Sequence, residues 1–188
     1  MLTKPIPEFF SGPLGSHRNY LRHIAFQNHL EYLRCEKAMR EQGNSTNPAK
    51  YNKLRLFLNS VESLNNILDY LYFEHEGRIG RTQVAFRKSA GSKVPILEAL
   101  SILANSYKHC VRRDDGKYPK RASELQRTHV HVDLQINMSD PSFSRADADY
   151  TFSGPLPMHE NILKEAFEFW LEYYNNGNTE ELIKRLIT

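Results

Sequence analysis

The chain contains 188 residues, of which 40% are hydrophobic and 25% are charged, a mixture that argues against a disordered or fibrous protein. The formal net charge of +3 is compatible with nucleic-acid binding but does not require it. No apolar run approaches the roughly 18 residues of a membrane-spanning helix, and the two cysteines, Cys35 and Cys110, favour a cytoplasmic protein with reduced thiols over a disulfide scaffold.

A first helix is predicted over about residues 17–42. Ser16 supplies its N-cap, because a serine hydroxyl accepts a hydrogen bond from a backbone N–H of the first turn, and Gly43 ends the helix. Apolar side chains at helical spacing predict its buried face, which comprises Leu21, Ile24, Phe26, Leu30 and Leu33.

The second helix is predicted over about residues 49–76, with Thr46 or Asn47 as its cap, Pro48 in its first turn and Gly77 at its end. Its apolar stripe comprises Leu54, Phe57, Leu58, Val61, Leu64, Leu68 and Leu71. A neighbouring polar stripe comprises Asn59, Ser63, Asn66 and Tyr70. These polar side chains either form a solvated flank or face a partly buried site.

Residues 78–93 form a basic connector in which a short helix starts at Thr82. Gly80 lacks the spacing of a phosphate-binding loop. The next helix begins at Pro95 and continues to about Arg112, and a charged surface loop follows it. The apolar stripe of this helix comprises Ile96, Leu100, Leu103, Tyr107 and Val111.

Apolar and polar residues then alternate over residues 130–138, which predicts a half-buried strand, and residues 146–152 can return as its partner. A last long helix is predicted over residues 159–175 and a short one over residues 179–187, separated at Gly177. The expected fold is mainly α, with one domain over residues 1–188. It is a bundle of about four long helices with a two-stranded hairpin, about residues 128–152, inserted before the last long helix.

The helix that begins at Pro95 carries a candidate site. Asn105 and His109 are four residues apart and therefore lie one turn apart on the same face, which Ser101 and Arg112 extend. A histidine beside an amide and an arginine can act in acid–base chemistry or bind a phosphate. The same residues are also what the solvated face of an amphipathic helix contains, and both interpretations are open.

Asn105-x-x-x-His109, late in a helix that follows a long leucine-rich helix and an arginine-rich connector, resembles the motif of the HEPN superfamily (higher eukaryotes and prokaryotes nucleotide-binding). The resemblance covers roughly residues 51–113. Members are small helical bundles, many of them metal-independent ribonucleases of defence and toxin systems, with the motif Arg-Asn-x-x-x-His. Here Ala104 occupies the position of the motif arginine.

The resemblance implies a function and a set of site residues. His109 would be the acid–base or phosphate-facing residue and Asn105 its positioning partner. Lys108, Arg112 and Arg113 would contact phosphate or RNA. The protein is expected to be either a metal-independent ribonuclease or a degenerate RNA- or nucleotide-binding relative, possessing no cofactor and forming a homodimer in which two motifs meet. The implied setting is a defence or toxin–antitoxin system.

A second candidate site lies on the predicted strand, where alternation places His129, His131 and Asp133 on one face. Imidazole and carboxylate groups are suitable ligands for zinc or another divalent ion, with His159 or Asp147 as a possible fourth ligand. This pattern predicts a metal-dependent hydrolase as an alternative function. The same residues would also suit the solvent face of a half-buried strand.

The last long helix is rich in aromatic residues that cover more than one of its faces, namely Phe167, Phe169, Trp170, Tyr173 and Tyr174. Some belong to the core, and the others are candidates for a dimer or partner surface, because a helix that is apolar on several sides must be buried on several sides. The remaining alternative is therefore a non-enzymatic adaptor or inhibitor that binds another protein.

Overall fold

The computed structural model describes residues 14–42, 47–110, 131–134, 148–151 and 157–188, and these are mainly helical, as the sequence predicts. The N-terminal helix consists of α1 (His17–Tyr20), a π-helical turn (Leu21–Ala25) and α2 (Phe26–Gln42). The other helices are α3 (Asn47–Ile79), α4 (Gln83–Lys93), α5 (Pro95–Cys110), α6 (Pro157–Asn176) and α7 (Thr179–Ile187). No helix in the described ranges is long and apolar enough to cross a membrane.

The N-terminal helix begins as predicted, because the Ser16 hydroxyl accepts a hydrogen bond from the backbone N–H of Asn19 over 3.1 Å. Its predicted buried face is wrong at Leu33, whose side chain is 39% exposed, whereas Tyr32 is buried. The π-helical turn explains the difference. A turn that closes over five residues adds one residue to the α-helical repeat and rotates the following helix face by about 100°.

Helix α3 is the central element of the bundle and is buried on several sides. The predicted stripe residues Phe57, Val61 and Leu64 are in the core. The helix does not end at Gly77, as the sequence predicted, but continues to Ile79 with a departure from helical geometry at His75 (φ −122°, ψ 21°). Gly80 follows with a φ of +61°, a left-handed conformation that glycine adopts without steric cost, and it therefore supplies the helix end.

The remaining helices pack around α3. Helix α5 contacts α3, α4 and α6, and α7 packs on α4. The Thr82 hydroxyl caps α4, as predicted, by accepting from the backbone N–H of Ala85. The core includes Trp170 from α6 and Leu100 from α5, both fully buried.

Two short segments, β1 (His131–Leu134) and β2 (Ala148–Thr151), pair in antiparallel register, with His131 opposite Thr151 and Asp133 opposite Asp149. The side chains of both segments and the residues that connect them lie outside the described part of the chain. The hairpin insertion over about residues 128–152 therefore stays a prediction, whereas the helical bundle is confirmed.

Candidate functional site

The motif helix α5 buries one face and exposes the other. Leu100, Leu103 and Ala104 lie in the core, and Ala104 is only 2% exposed. Asn105 is exposed. The position that carries arginine in the HEPN motif therefore points into the bundle here, where the charge of an arginine would be costly to bury.

The other residues of the predicted motif are only partly covered by the structure. The backbone at Lys108 and His109 is helical, so His109 follows Asn105 by about one turn in α5. The side chains of these two residues, and Arg112 and Arg113 entirely, lie outside the described residues. Their predicted roles remain predictions.

A groove of about 230 Å³ lies between α4 and α5. We call it the α4–α5 groove, and its lining comprises Leu68, Arg87, Lys88, Gly91, Leu97, Glu98, Ser101 and Ile102. Ser101 is one helical turn before Asn105, so the groove borders the helix face that carries the predicted motif. The predicted polar face of α5 therefore borders a concave surface that contains two basic residues and one carboxylate.

The two basic residues of the groove differ in how they are held. Arg87 Nη1 donates to Asp69 Oδ1 over 2.6 Å, and Arg87 Nη2 donates to Asn65 Oδ1 over 2.6 Å. The side chains of Arg87 and Asp69 are 22% and 29% exposed, so this ion pair is partly shielded from water. Lys88 is exposed. Arg87 thus anchors α4 to α3, and Lys88 presents its charge to solvent.

The polar stripe of α3 does not face this groove. Tyr70 stacks on Tyr20 of α1 with ring centroids 3.9 Å apart, and Ser63 donates to the backbone oxygen of Asn59 over 2.7 Å. Asn66 Nδ2 donates to Glu62 within the same helix over 3.3 Å. Tyr70 of the stripe therefore packs α3 against the N-terminal helix, whereas Ser63 and Asn66 form hydrogen bonds within α3.

The predicted metal-binding strand is described only in its backbone. Strand β1 contains His131 and Asp133, which share one face because they are two residues apart. His129 and Asp147 lie outside the described residues. His159, considered above as a fourth ligand, is buried in α6. Nothing described brings these side chains together.

The structure brings together a different polar group, the His17 cluster, which comprises His17, Glu74, His75 and Tyr173. His17 is buried and donates to Glu74 Oε2 twice, from its backbone N–H and from Nδ1, each over 2.7 Å. With that proton on Nδ1, Nε2 accepts from the Tyr173 hydroxyl over 2.6 Å. The Thr179 hydroxyl is 2.8 Å from that of Tyr173 and extends the chain.

His75 completes the cluster from the C-terminal part of α3. Its ring centroid is 5.5 Å from that of His17, and its Nε2 lies 3.5 Å from Glu74 Oε1. Burial lowers the pKa of His75, although the Glu74 carboxylate opposes this. Burial raises the pKa of Glu74, but the hydrogen bonds from His17 outweigh it and hold that pKa below its usual range. His75 is therefore neutral and Glu74 ionised at neutral pH.

The His17 cluster was not found from the sequence, for a physical reason. Glu74 and His75 are adjacent, and neighbours on a regular helix point about 100° apart, so helical spacing does not predict that both reach one site, and the backbone departs from helical geometry at His75. In the sequence, Tyr173 stands out only as one of the aromatic residues of the last long helix. The available signal was weak: a histidine directly after the predicted cap Ser16, and an acidic residue beside a histidine near a helix end.

The aromatic residues of α6 are mostly covered within one copy of the chain. Phe167 stacks on His29 with ring centroids 4.0 Å apart. Arg185 lies over the ring of Phe169 at 5.4 Å, and Arg18 lies over the ring of Tyr174 at 5.3 Å. These rings are therefore packing residues, and they supply less free apolar surface than the sequence suggested.

Comparison of this chain with protein-family models, with curated proteins and with solved structures gave no match.

Proposed function

We propose that this protein is a HEPN-like RNA- or nucleotide-binding protein whose contact surface is the α4–α5 groove together with the exposed face of α5. The observation that carries the proposal is the position of Asn105. It is exposed one helical turn beyond Ser101, and Ser101 lines the groove together with Lys88. A lysine in a concave surface is a suitable contact for a phosphate, and neighbouring amide and hydroxyl groups can bind phosphate or ribose oxygens.

The electrostatics of the groove favour modest, salt-dependent affinity. Arg87 is already paired with Asp69, so much of its charge is neutralised before a ligand binds. Glu98 adds a carboxylate to the lining. Lys88 remains as the main cation among the described lining residues, and the predicted contacts Lys108, Arg112 and Arg113 would add to it beyond the groove.

Binding is favoured over turnover, because the buried Ala104 leaves the motif without the arginine that would stabilise charge developing on a phosphate. In the ribonuclease form of the proposal, His109 transfers the proton and Asn105 positions it. Lys88 or one of the predicted basic contacts would then supply the missing charge. The homodimer and the defence or toxin–antitoxin setting belong to the same proposal and rest on the family resemblance.

The test of binding is the anisotropy of a labelled single-stranded RNA titrated with the wild type and with Lys88→Glu. Removing a phosphate contact and adding a like charge should weaken binding about 10-fold and flatten its salt dependence. Lys37→Glu is the matched control, because Lys37 is 74% exposed on α2, a helix that contributes nothing to the groove. Equal affinity of the two variants would refute the proposed surface.

Turnover is tested separately by RNA cleavage in the presence of EDTA. Cleavage that persists in EDTA and is lost in His109→Ala would support the ribonuclease form. Binding without cleavage would support the degenerate form. Absence of RNA and nucleotide binding, with a stable complex formed with another protein, would favour the adaptor instead.

A further inference from the structure

The His17 cluster shares no residue with the α4–α5 groove and has no role in the RNA-binding proposal. We propose that His17, Glu74 and His75 form a binding site for a divalent transition-metal ion of the zinc class. The site joins α1 to the C-terminal part of α3. It is distinct from the metal site predicted on the strand at His129, His131 and Asp133.

The donor set suits such an ion. Two imidazoles and one carboxylate are ligands that zinc prefers, and three protein ligands leave a position for water or a further ligand. The potential ligand atoms of His17, Glu74 and His75 all lie within 4.8 Å of one another. Ligand atoms around a tetrahedral zinc lie roughly 3.4 Å apart. The 3.5 Å between His75 Nε2 and Glu74 Oε1 matches this separation.

The shorter separation in the cluster is that of a hydrogen bond. His17 Nδ1 and Glu74 Oε2 are 2.7 Å apart, so a proton lies between them. A metal ion would replace this proton, and the two ligand atoms would then separate by less than 1 Å to reach the distance typical of zinc. Metal binding therefore requires adjustment of the side chains in the cluster.

An unsatisfied nitrogen also points to a ligand. His75 Nε2 is buried and has no hydrogen-bond partner among the described residues. A buried polar atom left in this way costs about 1–3 kcal/mol, and such atoms commonly indicate a ligand or a bound ion. An imidazole nitrogen that no protein group occupies can offer its lone pair to a metal.

The hydrogen-bond chain behind His17 can adapt to metal binding. When Nδ1 binds a metal, the ring proton resides on Nε2 and is donated to the Tyr173 hydroxyl, which then donates to Thr179. Each hydroxyl of this chain can donate or accept, so the direction of the chain reverses without loss of a hydrogen bond. A partner of this kind fixes the tautomer and orientation of a ligating histidine.

The test is a titration of metal-free protein with Co²⁺, monitored by visible absorption, followed by competition with Zn²⁺. We expect one bound Co²⁺ per chain, displaced by Zn²⁺ and not by Mg²⁺, because Mg²⁺ prefers oxygen ligands. His75→Ala and Glu74→Gln should each weaken binding by about 100-fold or more, and Tyr173→Phe by about 10-fold. His23→Ala is the matched control, because His23 is exposed in the neighbouring π-helical turn.

Two results would overturn the proposal: failure of the wild type to bind Co²⁺ or Zn²⁺, and binding that survives His75→Ala but is lost in His131→Ala. Circular dichroism checks that each variant is folded. If His75→Ala does not fold, the melting temperature of Glu74→Gln with and without Zn²⁺ tests the site instead. Zn²⁺ should raise the melting temperature of the wild type and not that of this variant. Lys88→Glu should retain metal binding while it weakens RNA binding, so failure of the metal proposal and failure of the RNA-binding proposal can be distinguished.

Discussion

The His17 cluster and the α4–α5 groove gather polar residues in opposite ways. The cluster takes its side chains from three helices that are far apart in sequence, since His17 and Tyr173 are separated by 156 positions, and it buries His17 and Tyr173. The groove uses mainly two consecutive helices and leaves Lys88 exposed, and Asn105, one turn beyond its lining residue Ser101, is exposed as well. Groups held by burial and mutual hydrogen bonds should affect stability, whereas exposed groups should affect binding.

The largest expected difference compares one residue from each region. His17→Ala should lower the free energy of unfolding by about 4 kcal/mol, because it leaves a cavity and removes the partner of Glu74 and Tyr173. Ser101→Ala should change it by less than about 0.5 kcal/mol. Urea unfolding of both variants measures this difference. Equal losses would show that the two regions do not differ in how they support the fold.

Another buried histidine, His29, sharpens the comparison, because no carboxylate among the described residues hydrogen-bonds to it. His29 Nδ1 is hydrogen-bonded to the Ser60 hydroxyl over 3.0 Å, its ring packs on Phe167, and burial lowers its pKa to about 4. The unfolded chain binds a proton near pH 6.5 and the folded chain does not. Stability is therefore fully present above that pH and falls as the pH drops towards 4, by about 3 kcal/mol.

Urea unfolding of the wild type and of His29→Asn between pH 7 and pH 4 isolates this contribution. The asparagine keeps a polar partner for Ser60 but does not titrate in this range. The wild type should lose about 3 kcal/mol more than the variant over the interval. Parallel pH profiles of the two proteins would contradict the assignment to His29.

Two glycines provide the next test. A Cβ atom at Gly91, in the groove, would lie 3.0 Å from Glu98 Cβ, whereas one at Gly77, two residues after His75, would meet nothing within 4 Å. Gly91→Val should therefore destabilise the protein by about 2 kcal/mol by separating α4 from α5. Gly77→Ala should stabilise it by about 0.5–1 kcal/mol through better helix propensity. Thermal unfolding measures both, and destabilisation by Gly77→Ala would contradict the described geometry.

The caps of the two regions should give a smaller loss of stability than Gly91→Val. Ser16→Ala removes the cap of α1, and Thr82→Ala removes the cap of α4. Each should cost about 1 kcal/mol. The two variants should differ in Co²⁺ binding. Ser16→Ala should weaken it, because it loosens the turn that carries His17, whereas Thr82→Ala should not. Equal effects of both substitutions on Co²⁺ binding would contradict the placement of the metal site.

The local features of the fold were predictable from the sequence. The cap at Ser16, the cap at Thr82 and the limits of α7 depend on neighbouring residues, and the structure confirms all three. The exposure of Leu33 and the continuation of α3 past Gly77 were not predictable in this way. They depend on a π-helical turn and on a backbone departure that residue spacing does not reveal.

The same distinction applies to the candidate sites. Asn105 was predicted as a site residue because helical spacing and a family resemblance both act within one helix. The His17 cluster requires the packing of α1, α3 and α6, which no spacing rule supplies, and the sequence accordingly led to the expectation of no cofactor. The metal proposal therefore depends on tertiary structure alone.

The bonds that attach the N-terminal turn have a consequence for synthesis. His17 binds the Tyr173 hydroxyl, and Arg18 donates to the backbone oxygens of Tyr174 and Gly177. The ribosome synthesises Tyr173, Tyr174 and Gly177 about 156–159 residues after His17 and Arg18. The turn therefore leaves the ribosome before the α6 residues that complete its hydrogen bonds, whereas Glu74 of α3 becomes available earlier. Until α6 is made, the native contacts of the turn are incomplete, which prolongs its exposure to aggregation and proteolysis.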